Sequence, residues 1–350
     1  MTEKKRILMS GNEAIGEGAI RAGCAFYAGY PITPQNELTA YMARWMQEKG
    51  RVFIQAESEL AAVNMVLGAS ATGVRAMTSS SSPGISLKQE GISYMAGMGL
   101  PAVVVNMMRG GPGLGNISPS QSDYFQATKG GGHGDYRLIV LAPASVQECF
   151  DLTFDAFDLA DAYRTPVMIL GDGMLGQMME PLSLETKKAP VNPPVKDFAL
   201  TGCEGRKPRI VRSLYLKDGV LEEINQGLQK KYERARKLEQ RWEDFMDKDA
   251  DVLIVAYGGM SRIAKSCVRR LRQSGIKAGL IRPISLWPFP DKAFEGRPAS
   301  TRYLVAEMSY GQMIEDVKLA LCRRDVSFVG RAGGGIPSEE EIINAVKELF

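Results

Sequence analysis

The chain has 350 residues, of which 45% are hydrophobic and 24% are charged, and its net charge is +3. This length is enough for two α/β domains with separate cores, and the small, dispersed charge, without aromatic residues interleaved among the basic ones, argues against a nucleic-acid partner. No run of about 18 apolar residues occurs and the start of the chain lacks an apolar signal segment, so we predict a cytoplasmic protein without a membrane span.

Short apolar runs alternate with amphipathic stretches up to Pro181. The apolar runs predict strands at Ile7–Met9, Ala25–Ala28, Val52–Gln55, Arg75–Thr78, Ala102–Met107, Leu138–Leu141 and Val167–Leu170. The stretches between them predict helices at Glu13–Ala22, Asn36–Glu48, Glu59–Thr72, Ile85–Met98 and Ser145–Ala160. This alternation is typical of a doubly wound parallel sheet with helices on both faces, so we predict such an α/β domain over residues 1–181.

Residues 182–250 differ in composition. The segment Pro181–Pro208 is rich in proline, lysine and asparagine and predicts an extended connector, whereas Asp218–Met246 is highly charged with apolar residues at helical spacing. A second, smaller α/β domain is predicted over residues 251–350. Its strands are expected at Val252–Ala256, Ala278–Ile281, Tyr303–Ala306 and Val326–Val329, and its helices at Ser261–Ser274, Gln312–Cys322 and Ser338–Leu349.

Two loops of the first domain are candidate ligand-binding segments because each follows a predicted strand. Such loops lie at the carboxyl edge of a parallel sheet, where ligands bind. In the first, Pro31 and Pro34 restrict the backbone around Thr33, which makes a stiff wall that holds the hydroxyl outward; an ordinary strand-to-helix connection is the alternative. The second contains two carboxylates, Glu57 and Glu59, and sequence register does not decide between them.

Cysteine and histidine usage restricts the chemistry. The cysteines are widely scattered without a C-x-x-C pair, so we expect this chain to hold neither an iron–sulfur cluster nor a structural zinc by itself. The single histidine, His133, lies in the glycine-rich segment Lys129–Asp135 and predicts a solvated loop residue. Whether His133 or Gly130–Gly134 contacts a ligand stays open at this point.

Three separated motifs together resemble the alpha subunit of the thiamine-diphosphate-dependent 2-oxoacid:ferredoxin oxidoreductases. They are Tyr-Pro-Ile-Thr-Pro at 30–34, Glu59 at the start of an alanine-rich helix, and Asn-Met-Met-Arg-Gly-Gly-Pro-Gly at 106–113. The segment Gly113–Tyr136 is most similar to the branched-chain, 2-oxoisovalerate, members. The segments Arg282–Pro290 and Glu307–Gln312 are similar to the family's second domain, which is like the C-terminal domain of transketolases.

The resemblance implies a pyrimidine-type thiamine diphosphate domain with site residues in this chain. Decarboxylation of a 2-oxo acid needs a carbon that can hold an electron pair, which the cofactor's thiazolium offers and no side chain does. Glu59 matches the residue that activates the aminopyrimidine, and its apolar neighbours Ala61–Val63 predict a dry setting that favours the protonated acid. The other expected cofactor-binding residues are Tyr30, Pro31, Ile32 and Ser81.

Arg109 and Thr33 match the positions that bind substrate in the family. A guanidinium can donate two parallel hydrogen bonds to a carboxylate, and the glycines after Arg109 permit close approach. Without the other motifs, Arg109 would be interpreted as one half of a surface ion pair. The serine run Thr78–Gly84 has two interpretations: it offers backbone donors to an anion, or it lines the pyrimidine side of the cofactor pocket.

The resemblance also implies that this chain supplies half of an active site. A beta subunit is expected to bind the diphosphate with Mg2+ and a nearby 4Fe-4S cluster, a ferredoxin-like delta subunit to carry further clusters, and a gamma subunit to be a separate chain. Coenzyme A would accept the acyl group and ferredoxin the electrons. Gly171-Asp172-Gly173 resembles the start of the diphosphate motif, but Asn192 follows too early, so we interpret it as a strand-end turn.

Three alternatives remain open from sequence. The same reaction on pyruvate, 2-oxoglutarate or an aryl pyruvate would keep every motif. A nicotinamide-dependent enzyme is disfavoured because Gly11–Gly16 lacks the middle glycine of the dinucleotide fingerprint. A scaffold subunit with a decayed pocket is disfavoured by Thr33, Glu59 and Arg109.

Overall fold

The computed structural model describes residues 6–186 and 196–350. Residues 187–195, which belong to the predicted connector, lie outside this description. In the first part of the chain the elements are β1 (Arg6–Ser10), α1 (Gly11–Arg21), β2 (Phe26–Gly29), α2 (Asn36–Glu48), β3 (Val52–Gln55), α3 (Glu59–Ala71), β4 (Ala76–Ser80), α4 (Ser82–Met98), β5 (Ala102–Met108), α5 (Tyr124–Thr128), β6 (Ile139–Leu141), α6 (Val146–Tyr163), β7 (Pro166–Asp172), α7 (Gly173–Gln177) and β8 (Met179–Ser183).

The second part of the chain continues the alternation after a long helix. Its elements are α8 (Val220–Leu238), β9 (Trp242–Phe245), β10 (Val252–Val255), α9 (Gly258–Gln273), β11 (Ala278–Pro283), β12 (Ser285–Trp287), β13 (Arg302–Glu307), α10 (Met313–Leu321), β14 (Ser327–Gly330) and α11 (Glu339–Lys347). Short 3-10 helices cover Leu184–Thr186 and Asp291–Phe294.

The larger sheet has the strand order β12-β6-β7-β5-β4-β2-β3, and its strands are parallel except for β12. The central strands β4, β5 and β7 are buried along their whole length, as expected when helices cover both faces of a parallel sheet. The smaller sheet has the order β14-β13-β10-β11-β9. The predicted α/β class, with a doubly wound first sheet, is therefore confirmed.

The structure differs from the predicted elements in three places, because tertiary pairing overrides local pattern. Residues Ile7–Met9 do not join the parallel sheet, since β1 pairs antiparallel with β8. The charged helix ends at Leu238, and Trp242–Phe245 form β9, which pairs antiparallel with β11. Residues Ser285–Trp287, for which no strand was predicted, form β12 and pair with β6.

Strand β12 joins the two parts of the chain. It belongs to the predicted second domain but completes one edge of the first sheet, beside β6. The buried Arg282 on β11 strengthens this junction, because its terminal nitrogens donate to the carboxylate of Glu148 on α6 at 2.9 and 2.7 Å. Its Nε donates to Glu243 on β9 at 2.7 Å. The two parts of the chain are thus connected by both a strand pairing and an ion pair whose guanidinium is buried.

We expect Glu148→Gln to lower the free energy of unfolding by about 1–3 kcal/mol, between the values for exposed and buried ion pairs, because Arg282 is buried while Glu148 is 28% exposed and Glu243 still pairs with Arg282. Glu48→Gln is the matched control, since Glu48 pairs with Arg44 on the exposed surface and should cost about 0–1 kcal/mol. Denaturant unfolding of the two variants measures the difference. Equal losses would show that the Arg282 contact does not stabilise the junction.

Candidate active site

The segments predicted from sequence meet at the carboxyl edge of the larger sheet. The loop after β2, the first turn of α3 and the loop after β5 are brought together because β2, β4 and β5 are adjacent and parallel. Arg109 Nη1 donates to the carbonyl of Thr33 at 3.0 Å and so joins the first loop to the third. Three motifs that are far apart in sequence therefore border one site.

Glu59 is the first residue of α3 and is 6% exposed. Ser58 caps the helix by accepting from the backbone N–H of Ala61 at 3.1 Å, which fixes the direction in which the helix begins. Within the described part of the chain, no hydrogen bond to the Glu59 carboxylate is found. Glu57 is exposed and lies beyond the end of β3. Of the two carboxylates that sequence left open, Glu59 is therefore the one in the buried site.

Gly84 in α4 lies directly against Glu59. A Cβ at this position would be 2.5 Å from Glu59 Oε1 and 2.0 Å from Ser80 Oγ. Such distances are far inside van der Waals contact, so only glycine lets α4 approach the carboxylate this closely. The last residue of the predicted serine run is thus part of the Glu59 pocket.

Several buried polar atoms at this edge have no hydrogen-bond partner among the described residues. They are Ser80 Oγ, Ser81 Oγ, Asn106 Oδ1 and Arg109 Nε. Leaving a buried donor or acceptor unpaired costs about 1–3 kcal/mol, so a group of them in one place indicates a ligand that supplies the partners. Ser81 is the N-cap of α4 but makes no capping bond, which leaves its hydroxyl available for this purpose.

Arg109 is 6% exposed and does not take part in a surface ion pair. Its Nη1 and Nη2 donate to the carbonyls of Thr33 at 3.0 Å and Leu114 at 2.9 Å, and no carboxylate of the described chain lies within ion-pair distance. Its backbone N–H donates to Ser82 Oγ at 3.0 Å. The guanidinium is therefore fixed by neutral acceptors, and its charge is not neutralised by this part of the chain.

The remaining residues of the first motif border the entrance of the site. Tyr30 is 39% exposed, Pro31 is exposed, and Ile32 and Thr33 are half-buried. The Thr33 hydroxyl accepts from Asn36 Nδ2 at 3.2 Å and keeps its own proton available for donation. The structure thus places these residues at the rim, whereas Glu59, Ser81 and Arg109 are buried.

Two residues of the site were not predicted from sequence. Asp123 accepts from Ser82 Oγ at 2.6 Å and from Asn106 Nδ2 at 2.9 Å, and burial raises the pKa of its carboxyl. Lys88 in α4 is fully buried, and its Nζ donates to Thr78 Oγ1 at 3.0 Å and to the carbonyl of Glu59 at 3.3 Å. For Lys88, the sequence signal was the presence of a lysine in a helix that otherwise carries little charge. For Asp123, we find no sequence signal that would have predicted its position.

Tyr257 and Met308, in the second part of the chain, support the loop that follows Arg109. Gln121 donates to the carbonyl of Tyr257 at 2.9 Å and accepts from the backbone N–H of Met308 at 3.0 Å. Asn116 donates to the carbonyl of Gly333 at 2.8 Å. These hydrogen bonds hold the loop at Asn116 and at Gln121, before and after Ser118–Ser120. Residues of the second part of the chain therefore help to fix the conformation of the loop after Arg109.

His133 is exposed, and its ring contacts Tyr94 edge-on with centroids 6.4 Å apart. Its backbone carbonyl accepts from Ser93 Oγ at 2.9 Å. Asp172, in the sequence that resembles a diphosphate motif, instead caps α7 and accepts from the backbone N–H of Gly259 at 2.9 Å. Among residues 6–186 and 196–350, no group of three or more histidine, cysteine or acidic side chains could hold a metal ion, and no helix could cross a membrane.

Comparison with family models defines the class, a thiamine-diphosphate-binding protein of the 2-oxoacid oxidoreductases. The family model described as pyruvate flavodoxin/ferredoxin oxidoreductase, thiamine diphosphate-binding, matches residues 17–244, and the model of pyruvate:ferredoxin oxidoreductase core domain II matches residues 250–342. The chain belongs to the 2-oxoacid:ferredoxin oxidoreductase family, as its motifs predicted.

Relatives within this family are similar over nearly the whole chain. A ketoisovalerate oxidoreductase subunit of Methanothermobacter marburgensis is 51% identical over 98% of this chain and 97% of its own length. A 2-oxoglutarate synthase subunit of Methanothermobacter thermautotrophicus is 37% identical over all of both chains. The structure of the 2-oxoglutarate:ferredoxin oxidoreductase from Magnetococcus marinus has a TM-score of 0.86 and 28% identity, and the match covers 99% of this chain and 66% of that one. A split-gene transketolase, at 16% identity and a TM-score of 0.61, shares the fold.

The buried polar atoms fit the aminopyrimidine end of thiamine diphosphate. That ring carries an amino donor and ring-nitrogen acceptors, and the site offers the Glu59 carboxylate and the unpaired hydroxyls of Ser80 and Ser81. The described residues thus supply a donor and acceptor set of the right kind.

We expect Gly84→Ala to reduce activity of the assembled enzyme by about 10²-fold, because the added methyl must displace Glu59 or Ser80 and a shift of about 1 Å can have that effect. Gly97→Ala on the same helix is the control, since its Cβ would come no closer than 3.7 Å to any neighbour. Steady-state rates of both variants provide the comparison. Full activity of Gly84→Ala would show that the contact between α4 and Glu59 does not matter for activity.

Proposed function

We propose that this chain is the subunit of a 2-oxoacid:ferredoxin oxidoreductase that binds the aminopyrimidine of thiamine diphosphate and the carboxylate of a branched-chain 2-oxo acid. The reaction would convert 2-oxoisovalerate and coenzyme A to acyl-CoA and CO2 while reducing ferredoxin. The observation that supports it most strongly is the buried Glu59 carboxylate, which lies against Gly84 without a hydrogen-bond partner in the described chain.

When bound, thiamine diphosphate supplies the nucleophilic carbon and the electron sink for decarboxylation. Glu59 would hold or release a proton at its carboxylate toward the ring nitrogen of the aminopyrimidine. The hydroxyls of Ser80 and Ser81 would orient the ring, and the apolar face of Ile32 and the rim residues Tyr30 and Pro31 would exclude water. This chain's role is thus activation and positioning.

Arg109 and Thr33 would bind the substrate carboxylate. The Arg109 guanidinium is buried, carries an unpaired Nε and is not neutralised by a carboxylate of the described chain. A charged group in this position attracts an anionic ligand more strongly than it would in water. Its contacts with the carbonyls of Thr33 and Leu114 fix its orientation before substrate arrives.

We propose that the rest of the active site lies on partner chains in the cytoplasm. A beta subunit would bind the diphosphate with Mg2+ and carry a 4Fe-4S cluster, a delta subunit would carry further clusters, and a gamma subunit would complete the assembly. The names of the relatives support this arrangement, because they describe subunits of larger oxidoreductases. We do not assign the diphosphate site to Asp172 of this chain, because its carboxylate already accepts the backbone N–H groups of Leu175 and Gly259.

A branched-chain substrate is favoured over 2-oxoglutarate by similarity and by the loop after Arg109. Two ketoisovalerate oxidoreductase subunits are 51% and 50% identical to the chain, whereas four 2-oxoglutarate synthase subunits are 37–39% identical. Leu114 and Ile117 in the loop are 79% and 63% exposed. An aliphatic acyl group would cover these side chains, whereas the second carboxylate of 2-oxoglutarate would not.

The reconstituted complex should therefore use 2-oxoisovalerate with a higher kcat/KM than 2-oxoglutarate, pyruvate or an aryl pyruvate, since one or two buried methyl groups are worth about 10–200-fold. Ferredoxin reduction with each acid at the same coenzyme A concentration measures this. A larger kcat/KM for 2-oxoglutarate would contradict the branched-chain proposal but keep the reaction class. Failure to reduce ferredoxin with any 2-oxo acid would contradict both.

Glu59→Gln should reduce turnover by about 10² or more, because it removes a positioned proton-transfer group, while assembly and the KM for the 2-oxo acid change little. Glu57→Gln is the matched control on the same segment, since Glu57 is exposed. A greater loss in Glu57→Gln than in Glu59→Gln would make the assignment wrong.

Arg109→Ala should raise the KM for the 2-oxo acid by an amount equivalent to about 2–5 kcal/mol and leave the KM for coenzyme A nearly unchanged. Because the guanidinium also binds the carbonyls of Thr33 and Leu114, we expect a loss of thermal stability as well. Arg109→Lys should restore part of the affinity, since an ammonium cannot make paired hydrogen bonds. Lower stability with an unchanged KM for the 2-oxo acid would show that Arg109 only supports the loop.

A further inference from the structure

Lys88 is buried without a carboxylate partner. Its side chain is fully inaccessible to solvent, which is rare for lysine unless it is paired. Its Nζ donates to two neutral oxygens, Thr78 Oγ1 at 3.0 Å and the carbonyl of Glu59 at 3.3 Å. No carboxylate of the described chain lies within ion-pair distance of it. Burial lowers the pKa of Lys88 from 10.5 to about 8, and the nearby charge of Glu59 acts in the opposite direction.

The position of Lys88 on α4 relates it directly to the Glu59 pocket. Lys88 follows Gly84 by one helical turn, and residues four apart lie on the same face of a helix. On this face Gly84 lies against the Glu59 side chain, and Lys88 binds the Glu59 main-chain carbonyl. Helix α4 therefore contacts Glu59 at two points, one steric and one polar.

Packing alone does not explain a lysine at this position. A methionine has similar length and would fill the space without the cost of removing an ammonium from water, and exchanges of buried charges for apolar residues are often neutral or stabilising. The ammonium instead gives the Glu59 main-chain carbonyl and Thr78 Oγ1 one shared donor, which joins the first turn of α3 to β4.

We propose that Lys88 is a positioning residue for Glu59, because its ammonium holds the first turn of α3 against β4 and so fixes where the Glu59 side chain enters the site. The inference rests on the proposed function, because it assumes that Glu59 exchanges a proton in each turnover. A proton-transfer group acts only from a fixed position, and a displacement of about 1 Å can cost about 10²-fold in rate. Lys88 holds that position from the main-chain side, whereas Gly84 leaves room for the side chain.

The test separates the charge of Lys88 from its hydrogen bonds. Lys88→Met removes both, Lys88→Gln keeps a polar group without the charge, and Thr78→Val removes one acceptor but keeps the charge. Lys49→Met, at an exposed lysine of the same domain, is the control for a general charge effect. Each variant is assembled with its partner subunits. Amide hydrogen exchange in the first turn of α3 is measured in the absence of substrate, and kcat and KM are measured with it.

Lys88→Met should speed the exchange of these amides and lower kcat by about 10-fold or more while the KM for the 2-oxo acid stays within about twofold. Lys88→Gln should restore part of both, Thr78→Val should fall between Lys88→Met and the wild type, and Lys49→Met should match the wild type. Wild-type exchange or wild-type kcat in Lys88→Met, or an equal loss in Lys49→Met, would overturn the proposal. Because the exchange measurement needs no substrate, faster exchange in a complex that lacks 2-oxo acid activity would support the role of Lys88 and contradict the proposed function alone.

Discussion

The close approach of α4 to the first turn of α3 is the constraint on which the site depends. A Cβ at Gly84 would lie 2.5 Å from Glu59 Oε1, so the absence of a side chain there leaves room for the Glu59 side chain. One helical turn further on, Lys88 donates to the Glu59 carbonyl. The unpaired hydroxyls of Ser80 and Ser81 lie beside this contact.

The second part of the chain supports the site. The resemblance to transketolases implied a domain that assembles subunits, and the structure adds that this domain fixes the loop after Arg109 through Gln121 and Asn116. Strand β12 and the Arg282–Glu148 ion pair connect the two sheets. The loop that follows Arg109 is therefore held by residues that are more than a hundred positions away in the sequence.

Similarity and geometry contribute different information about function. The family models and the relatives establish the reaction class. The geometry supports our proposal for the groups that act in this chain: a buried carboxylate, unpaired serine hydroxyls and a buried guanidinium bound by neutral carbonyls. Sequence left open that Arg109 is half of a surface ion pair. The structure does not agree with this alternative, because the side chain is buried and no carboxylate of the described chain pairs with it.

The sequence by itself determined the α/β class, most strands and helices, and the motifs at Thr33, Glu59 and Arg109. These features follow from local periodicity and from residue types that carry chemistry, and both can be seen within short segments. It could not decide between Glu57 and Glu59, because that choice depends on where β3 ends and which side chain α4 covers. It also did not predict β12, the close contact at Gly84, or the roles of Lys88 and Asp123. Each of these arises from packing between elements distant in sequence, which only the tertiary structure decides.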